Sequence, residues 1–195
     1  FFLTDFADLP MGERVLASFF QSVTPRTAGY NTIDLTKMSG TSQAVTVLLM
    51  LTGGAPGSTA GGMKVTTLAV LMANAIAAFR RREDPQLFHR RLEPSAVRNA
   101  AAILLLYLGL TFAGAAAIST AEKLPLGACL YETASAIGTV GLTLGLTPRL
   151  GILSQSILIL LMFFGRVGGL TLIYAAFSGH DLTYARYPQE KITVG

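Results

Sequence analysis

Two short segments, Thr27-Ala28-Gly29-Tyr30-Asn31 and Thr139-Val140-Gly141-Leu142-Thr143, carry the same arrangement at a shift of 112 residues. Each follows a short amphipathic stretch, residues 13–24 and 125–137. Each precedes a long apolar run, starting near Thr41 and near Gly151. A helix too short to span, a Thr-x-Gly turn and then a spanning helix is the layout of a re-entrant loop. A bilayer tolerates irregular backbone only where it is buried in protein or lines a water-filled cavity. Two copies in register therefore require the chain to build two walls of one aqueous path.

The composition agrees with a membrane setting. Only 13% of the residues are charged, against about 25% in soluble domains, and the mean hydropathy is +0.53. Residues 100–121 hold no charge and meet the length of about 20 residues that a crossing needs. Residues 151–177 form a second candidate span, interrupted by Arg166, and 41–78 a third, interrupted by a glycine-rich patch and Lys64. Without tryptophan, interfacial anchoring falls to tyrosines and loop charges. Cys129 is the single cysteine, which excludes an intrachain disulfide and a thiolate metal cage. His89 and His180 stand far apart in polar stretches and do not make a metal site.

The formal charge of +4 is local and is no signal for nucleic acid. Arg80, Arg81, Arg82, Arg90, Arg91 and Arg98 outnumber Glu83, Asp84 and Glu93, which places this connection in the cytoplasm. Arg186 and Lys191 share that side if two spans intervene. Residues 1–10, with Asp5 and Asp8 on the outer side, read as the end of an element whose earlier helices lie upstream.

The expected fold is an all-α membrane protein made of helix–pore loop–helix repeats with re-entrant filter loops. Residues 1–94 read as one unit without its first helix. It has a pore helix over 11–24, a filter over 26–31, a broken helix over 41–79 with a gate loop at 53–62, and a cytoplasmic loop over 79–96. Residues 95–195 read as the next unit, with a helix over 97–120, a pore helix over 125–137, a filter over 138–143, a helix over 151–178 and a cytoplasmic tail over 179–195. Both filters must face one side of the membrane, so these are parallel repeats.

A selectivity filter replaces an ion's hydration shell with backbone carbonyls aimed at a common axis. Aiming successive carbonyls one way requires positive φ, which glycine adopts without a Cβ penalty. Gly29 and Gly141 are the candidate pivots, with carbonyls from Thr27, Ala28, Tyr30, Thr139, Val140 and Leu142. Neither turn has the second glycine of the T-V-G-Y-G filter, so fewer coordination layers and looser selectivity follow. The stretch 53–62 fits no nucleotide-binding spacing. It reads as a flexible linker or, more sharply, as the unwound middle of a broken membrane helix that obstructs the path and swings away. Gly57, Ser58, Thr59, Ala60, Gly61 and Gly62 form this gate candidate, with Lys64 tying it to its surroundings.

Arg166 in a span costs from about 2.5 kcal/mol upward and marks a bundle interior or an aqueous cavity. It reads either as a structural ion pair or as a fixed positive charge beside the path, acting with the gate loop. Arg26 and Glu132 are expected to pair across neighbouring pore helices and brace the filters from behind.

At these residues the chain resembles the Trk/Ktr/HKT superfamily of potassium transporters over nearly its whole length. The run from Phe20 through Thr24-Pro25-Arg26-Thr27-Ala28-Gly29 to Asn31 is similar to the third filter region, and Gly57-Ser58-Thr59-Ala60-Gly61-Gly62-Met63-Lys64 to the intramembrane gate loop. Gly138-Thr139-Val140-Gly141-Leu142 resembles the fourth filter, and Gly165-Arg166-Val167-Gly168 the pore-facing arginine helix. The ending from Arg186 to Gly195 looks like the Ktr branch. The resemblance implies four pseudo-symmetric units around one pore, of which two are here, the first lacking its opening helix. It further implies a homodimer in the bacterial plasma membrane, a cytoplasmic nucleotide-binding (RCK-type) regulatory subunit, and K+ as the transported ion, with Na+ second. No cofactor is implied. Two other classes compete: a non-conducting membrane anchor for a cytoplasmic partner, and a membrane enzyme handling phosphate at 53–62, which lacks convergent acids or bases.

Overall fold

The computed structural model describes residues 1–82 and 84–168. The expected helix beyond residue 168, the tail over 179–195 and the Ktr-like ending lie outside the described residues, as does Glu83.

Proline and glycine set most of the helix limits. Helix α1, Met11–Val23, starts after Pro10 and stops ahead of Pro25, whose ring disfavours helical backbone at the residue before it. Helix α2, Gly40–Leu51, opens at Ser39, whose hydroxyl accepts from the Ser42 N–H, and stops where Gly53-Gly54 begins. Helix α3 covers Val65–Phe79. It begins later than the expected Met63, because the Met63 N–H donates to the Leu51 carbonyl at 3.0 Å and its carbonyl accepts from the Gly53 N–H at 2.7 Å. The two ends of the break are thus stitched together and the chain between them closes into a loop.

A small antiparallel hairpin, β1 Gln86–Leu87 with β2 Arg90–Arg91, carries the arginine-rich connection. Helix α4 then runs from Pro94 to Glu122. It starts three residues ahead of the expected Val97, because proline suits the first helical position. Its 29 residues span roughly 44 Å, enough to cross a bilayer. Lys123 in the left-handed region ends it, and Pro125 opens helix α5, Leu126–Ile137. Helix α6, Ile152–Val167, closes the described chain. Among the described residues α4 is the one helix that is both long and apolar enough to span; α2, α3 and α6 are shorter apolar helices.

Helix α5 is the hub. It packs against α2, α4 and α6, and eight of its twelve residues are buried, from Cys129 through Ile137. Its buried threonine is satisfied within the helix: Thr133 donates to the Cys129 carbonyl at 3.0 Å, as Thr111 in α4 does to Tyr107 at 2.7 Å and Thr46 in α2 to Ser42 at 2.8 Å. A hydroxyl bonded one turn back can be buried at little cost.

The 112-residue shift is visible in the elements. Short 3₁₀ turns lie at Leu35–Lys37 and Thr147–Arg149, and α2 and α6 begin at Gly40 and Ile152. Each following helix is capped by a carboxylate from an earlier segment. Asp5 accepts from the Ser39 N–H at 2.7 Å and from the Ser42 hydroxyl. Glu122 accepts from the Gly151 N–H at 2.8 Å and from the Ser154 hydroxyl at 2.7 Å.

Candidate functional site

The two Thr-x-Gly turns both take positive φ at the threonine and the glycine. Thr27 and Gly29 have φ of 67° and 74°, and Thr139 and Gly141 have 51° and 91°. Positive φ is native to glycine, but for a β-branched threonine it is a true outlier. Such strain persists only where surrounding structure imposes it, and it clusters at functional sites. Here it occurs twice, at the same two positions of the repeat.

The turns also touch. The Thr27 hydroxyl donates to the Gly138 carbonyl at 3.3 Å, and a Cβ on Gly29 would overlap the Val140 carbonyl oxygen. Ala28 and Tyr30 are exposed beside them, whereas Val140 and Leu142 are buried. A Cβ on Gly141 would meet open space, so its requirement for glycine is conformational. Each turn is tied to the end of its own short helix: Ala28 and Gly29 N–H groups to the Thr24 carbonyl at 3.1 Å, and Val140 N–H to the Ser135 carbonyl at 2.9 Å. The second turn fronts a cavity of about 690 Å³ whose lining includes Glu132, Ser135, Thr139, Gly141, Thr143 and Arg166.

The glycine-rich loop lies against the second of these turns. Gly61 is buried, and a Cβ there would strike the Thr139 hydroxyl, itself buried without a hydrogen-bond partner. The tip, from Ala55 through Thr59 and including Gly57 and Ser58, is exposed. Two cations hold the loop by its carbonyls. Lys64 Nζ donates to Ser58 O at 3.1 Å and to Ala60 O at 2.7 Å, and Arg166 donates through Nη1 to Thr59 O. Gly62, with φ of 72°, turns the chain back towards α3. The structure thus brings Arg166, Lys64 and the loop together, around a second cavity of about 290 Å³.

Glu132 departs from the sequence expectation. Its buried carboxylate accepts from the Thr143 hydroxyl at 2.6 Å, the Leu144 N–H at 2.9 Å and the Thr147 hydroxyl at 2.6 Å. Its charge is therefore compensated by donors from the segment that leaves the second turn, and not by Arg26. Arg26 is exposed and belongs to none of the ion pairs among the described residues. Its guanidinium follows Pro25 outward at the end of α1, whereas Glu132 points to its own turn. The sequence assigns no role to Thr24 or Ser135, whereas Gly165, beside Arg166, does sit at a close helix approach: a Cβ there would overlap the Ile137 carbonyl oxygen. The hydroxyls just ahead of each turn were the available signal for the first two.

These features define a class: a helical, apolar protein with repeated strained turns, the second of them against a loop held by two cations. Residues 4–181 match the family model TrkH, described as cation transport protein, and the chain belongs to that family. Among curated relatives, it is 38% identical over 183 residues to Ktr system potassium uptake protein B of Bacillus subtilis, covering 94% of this chain and 41% of that protein. It is 39% identical over 189 residues to potassium/sodium uptake protein NtpJ of Enterococcus hirae, covering 94% and 42%. It is 34% identical over 187 residues to Ktr system potassium uptake protein B of Vibrio alginolyticus, covering 96% and 41%. The chain spans about two-fifths of the length of these relatives.

Proposed function

We propose that this chain supplies two walls of a gated, channel-like path for monovalent cations, potassium first and sodium second, in the membrane subunit of a Trk/Ktr-type uptake system. The observation that carries the reading is the pair of touching turns with matching positive φ at Thr27/Gly29 and Thr139/Gly141. The printed names of the relatives, potassium uptake and potassium/sodium uptake, support the ion.

In this reading the carbonyls of Thr27, Ala28, Gly29, Tyr30, Thr139, Val140, Gly141 and Leu142 stand in for water around the dehydrated ion. Glu132 supports the second filter by fixing the chain that leaves it, and Arg26 lies on the outer flank of the first. The loop from Gly57 to Gly62, held by Lys64 and Arg166, is the gate beneath. A fixed guanidinium beside the path raises the barrier to a cation while the loop is closed, and swinging the loop away requires releasing the Arg166–Thr59 bond. The intact protein works as a homodimer in the plasma membrane, crossing it several times, with a cytoplasmic RCK-type regulatory subunit that uses the arginine-rich hairpin side.

The test is potassium uptake in transport-deficient cells by the full-length protein that carries this segment. Gly141→Asp puts a side chain at φ of 91° and a carboxylate into the filter, and is expected to reduce uptake at least about a hundredfold, the scale of a misplaced reacting geometry. Normal uptake by Gly141→Asp at normal membrane abundance would leave the non-conducting anchor as the better account.

A further inference from the structure

Across the repeat shift Thr24 stands against Ala136, and Val23 against Ser135. Each turn is nonetheless held by one buried hydroxyl, from adjacent positions and with opposite hydrogen-bond polarity. At the first turn Thr24 Oγ1 donates to the Tyr30 carbonyl at 2.6 Å. At the second, Ser135 Oγ accepts from the Gly141 N–H at 3.2 Å. Thr24 is 2% exposed and Ser135 4%, so each hydroxyl is held inside the protein while its partner, Tyr30 or Gly141, lies on an exposed stretch of the turn. One hydroxyl takes hold of a carbonyl just beyond the glycine; the other takes hold of the glycine amide and leaves every carbonyl of its turn untouched.

We propose that Thr24 is a positioning residue for ion discrimination, its hydroxyl holding the Tyr30 carbonyl back so that this wall cannot close around a small cation. The inference rests on the reading of the two turns as filter walls. A carbonyl tethered from behind resists moving inward. Sodium, being smaller than potassium, gains most from ligands that collapse onto it, so a tether penalises sodium more. The field strength and flexibility of coordinating carbonyls are recognised determinants of potassium-over-sodium choice. Ser135 orients Gly141 but restrains no carbonyl, so its loss weakens the site for both ions alike. The two walls therefore contribute unequally: the Thr24 wall discriminates, and the Ser135 wall provides a rigid backbone.

The experiment compares apparent affinities for K+ and Na+ uptake in the full-length protein, with membrane abundance measured for each variant. Thr24→Ala is the primary variant, because alanine already stands at the matching position of the second turn, Ala136, where positive φ at the threonine and the glycine is kept. The expected result is a loss of about fivefold in potassium-over-sodium preference, the scale of one net hydrogen bond. Thr24→Ser keeps the donor and should retain the wild-type ratio. Ser135→Ala should lower uptake of both ions without moving the ratio. A wild-type ratio in Thr24→Ala overturns the proposal. So does an equal shift in Thr24→Ser, or in Ser135→Ala. If Thr24→Ala does not reach the membrane, Thr24→Cys, similar in bulk with a far weaker donor, carries the same expectation and the same power to overturn. Failure of the filter reading itself appears separately, as unimpaired uptake in Gly141→Asp.

Discussion

Helices α1 and α5 occupy the same place in the repeat, precede the same turn, and end in very different surroundings. Helix α5 is enclosed by α2, α4 and α6 and buries eight residues. Helix α1 buries Gln21 and leaves Val15, Leu16 and Phe19 at 51%, 69% and 69% exposure. Positive φ at the same two positions of the turn survives this contrast. Local chemistry at the helix end (a hydroxyl, two carbonyls and a glycine) therefore sets the turn, while tertiary enclosure sets how firmly the turn is anchored. The second copy has a buried carboxylate fastening its exit segment; the first has Phe20 at the matching position and no such fastening.

The largest effect comes where the two copies diverge in the helix that follows. The shift sets Gly53-Gly54 against Gly165-Arg166: one copy breaks its helix there and the other continues as far as Val167. A Cβ on Gly165 would overlap the Ile137 carbonyl at the end of α5, and one on Gly53 would overlap the Gly61 carbonyl. Both collide with backbone, but α5 and α6 are packed helices whereas Gly61 belongs to a loop with an exposed tip. Gly165→Ala is expected to destabilise by about 3 kcal/mol, the upper end of overpacking costs, and Gly53→Ala by about 1 kcal/mol. In addition, Gly53→Ala should raise basal cation flux by displacing the loop. Thermal unfolding in detergent together with uptake measurements tests this. Equal destabilisation by both would mean that the loop is as rigid as the helix pair.

The next effect isolates the carboxylate present in one copy alone. Glu132 accepts three hydrogen bonds. Glutamine presents one acceptor oxygen and an amide that would face hydroxyl or N–H donors. Glu132→Gln keeps an oxygen for Thr143 and Leu144, but it sets an amide against the Thr147 hydroxyl and removes the charge assistance of all three bonds, and should cost about 2 kcal/mol. Phe20→Leu, at the matching and only partly buried position, should cost about 1 kcal/mol or less. If Glu132→Gln left both stability and the potassium-to-sodium ratio unchanged, the carboxylate would not be what anchors the second turn.

The contrast also shows what a sequence can and cannot reveal. Chain direction changes are written in single residues: Pro25 and Gly53-Gly54 end helices, and Pro125 precedes one. The repeat is legible because identical spacing recurs in Thr-x-Gly. Contacts made by side chains across the turn were not legible, since hydrogen bonds over eleven or fifteen residues, such as those of Glu132 to Thr143 and Thr147, follow no period. Charge alone proposed Arg26 as its partner. The two carboxylate caps escaped notice for another reason. Their donors, Ser39 with Ser42 and Gly151 with Ser154, do keep the repeat shift, but Asp5 and Glu122 do not. The same spatial place is reached from different points along the chain.

Those caps supply the smallest test of the comparison. Burial pushes the Asp5 carboxyl up, but the Ser39 N–H and the hydroxyls of Ser42 and Thr4 outweigh it and leave it below its ordinary value of 3.8. A carboxyl with a depressed folded-state value stabilises fully above its ordinary value and loses that contribution as pH falls through the lower one. Asp5→Asn should accordingly cost about 1 kcal/mol near neutral pH, typical of a helix cap next to the positive end of the dipole. The difference from wild type should shrink once the medium is more acidic than the folded carboxyl. Glu122→Gln, removing the equivalent cap of α6, should cost a similar amount near neutral pH. Unfolding of both variants across an acid series measures the pair. A cost of Asp5→Asn that persisted unchanged at the acid end would mean that shape, not charge, holds the start of α2, and the two copies would then be capped by different physics.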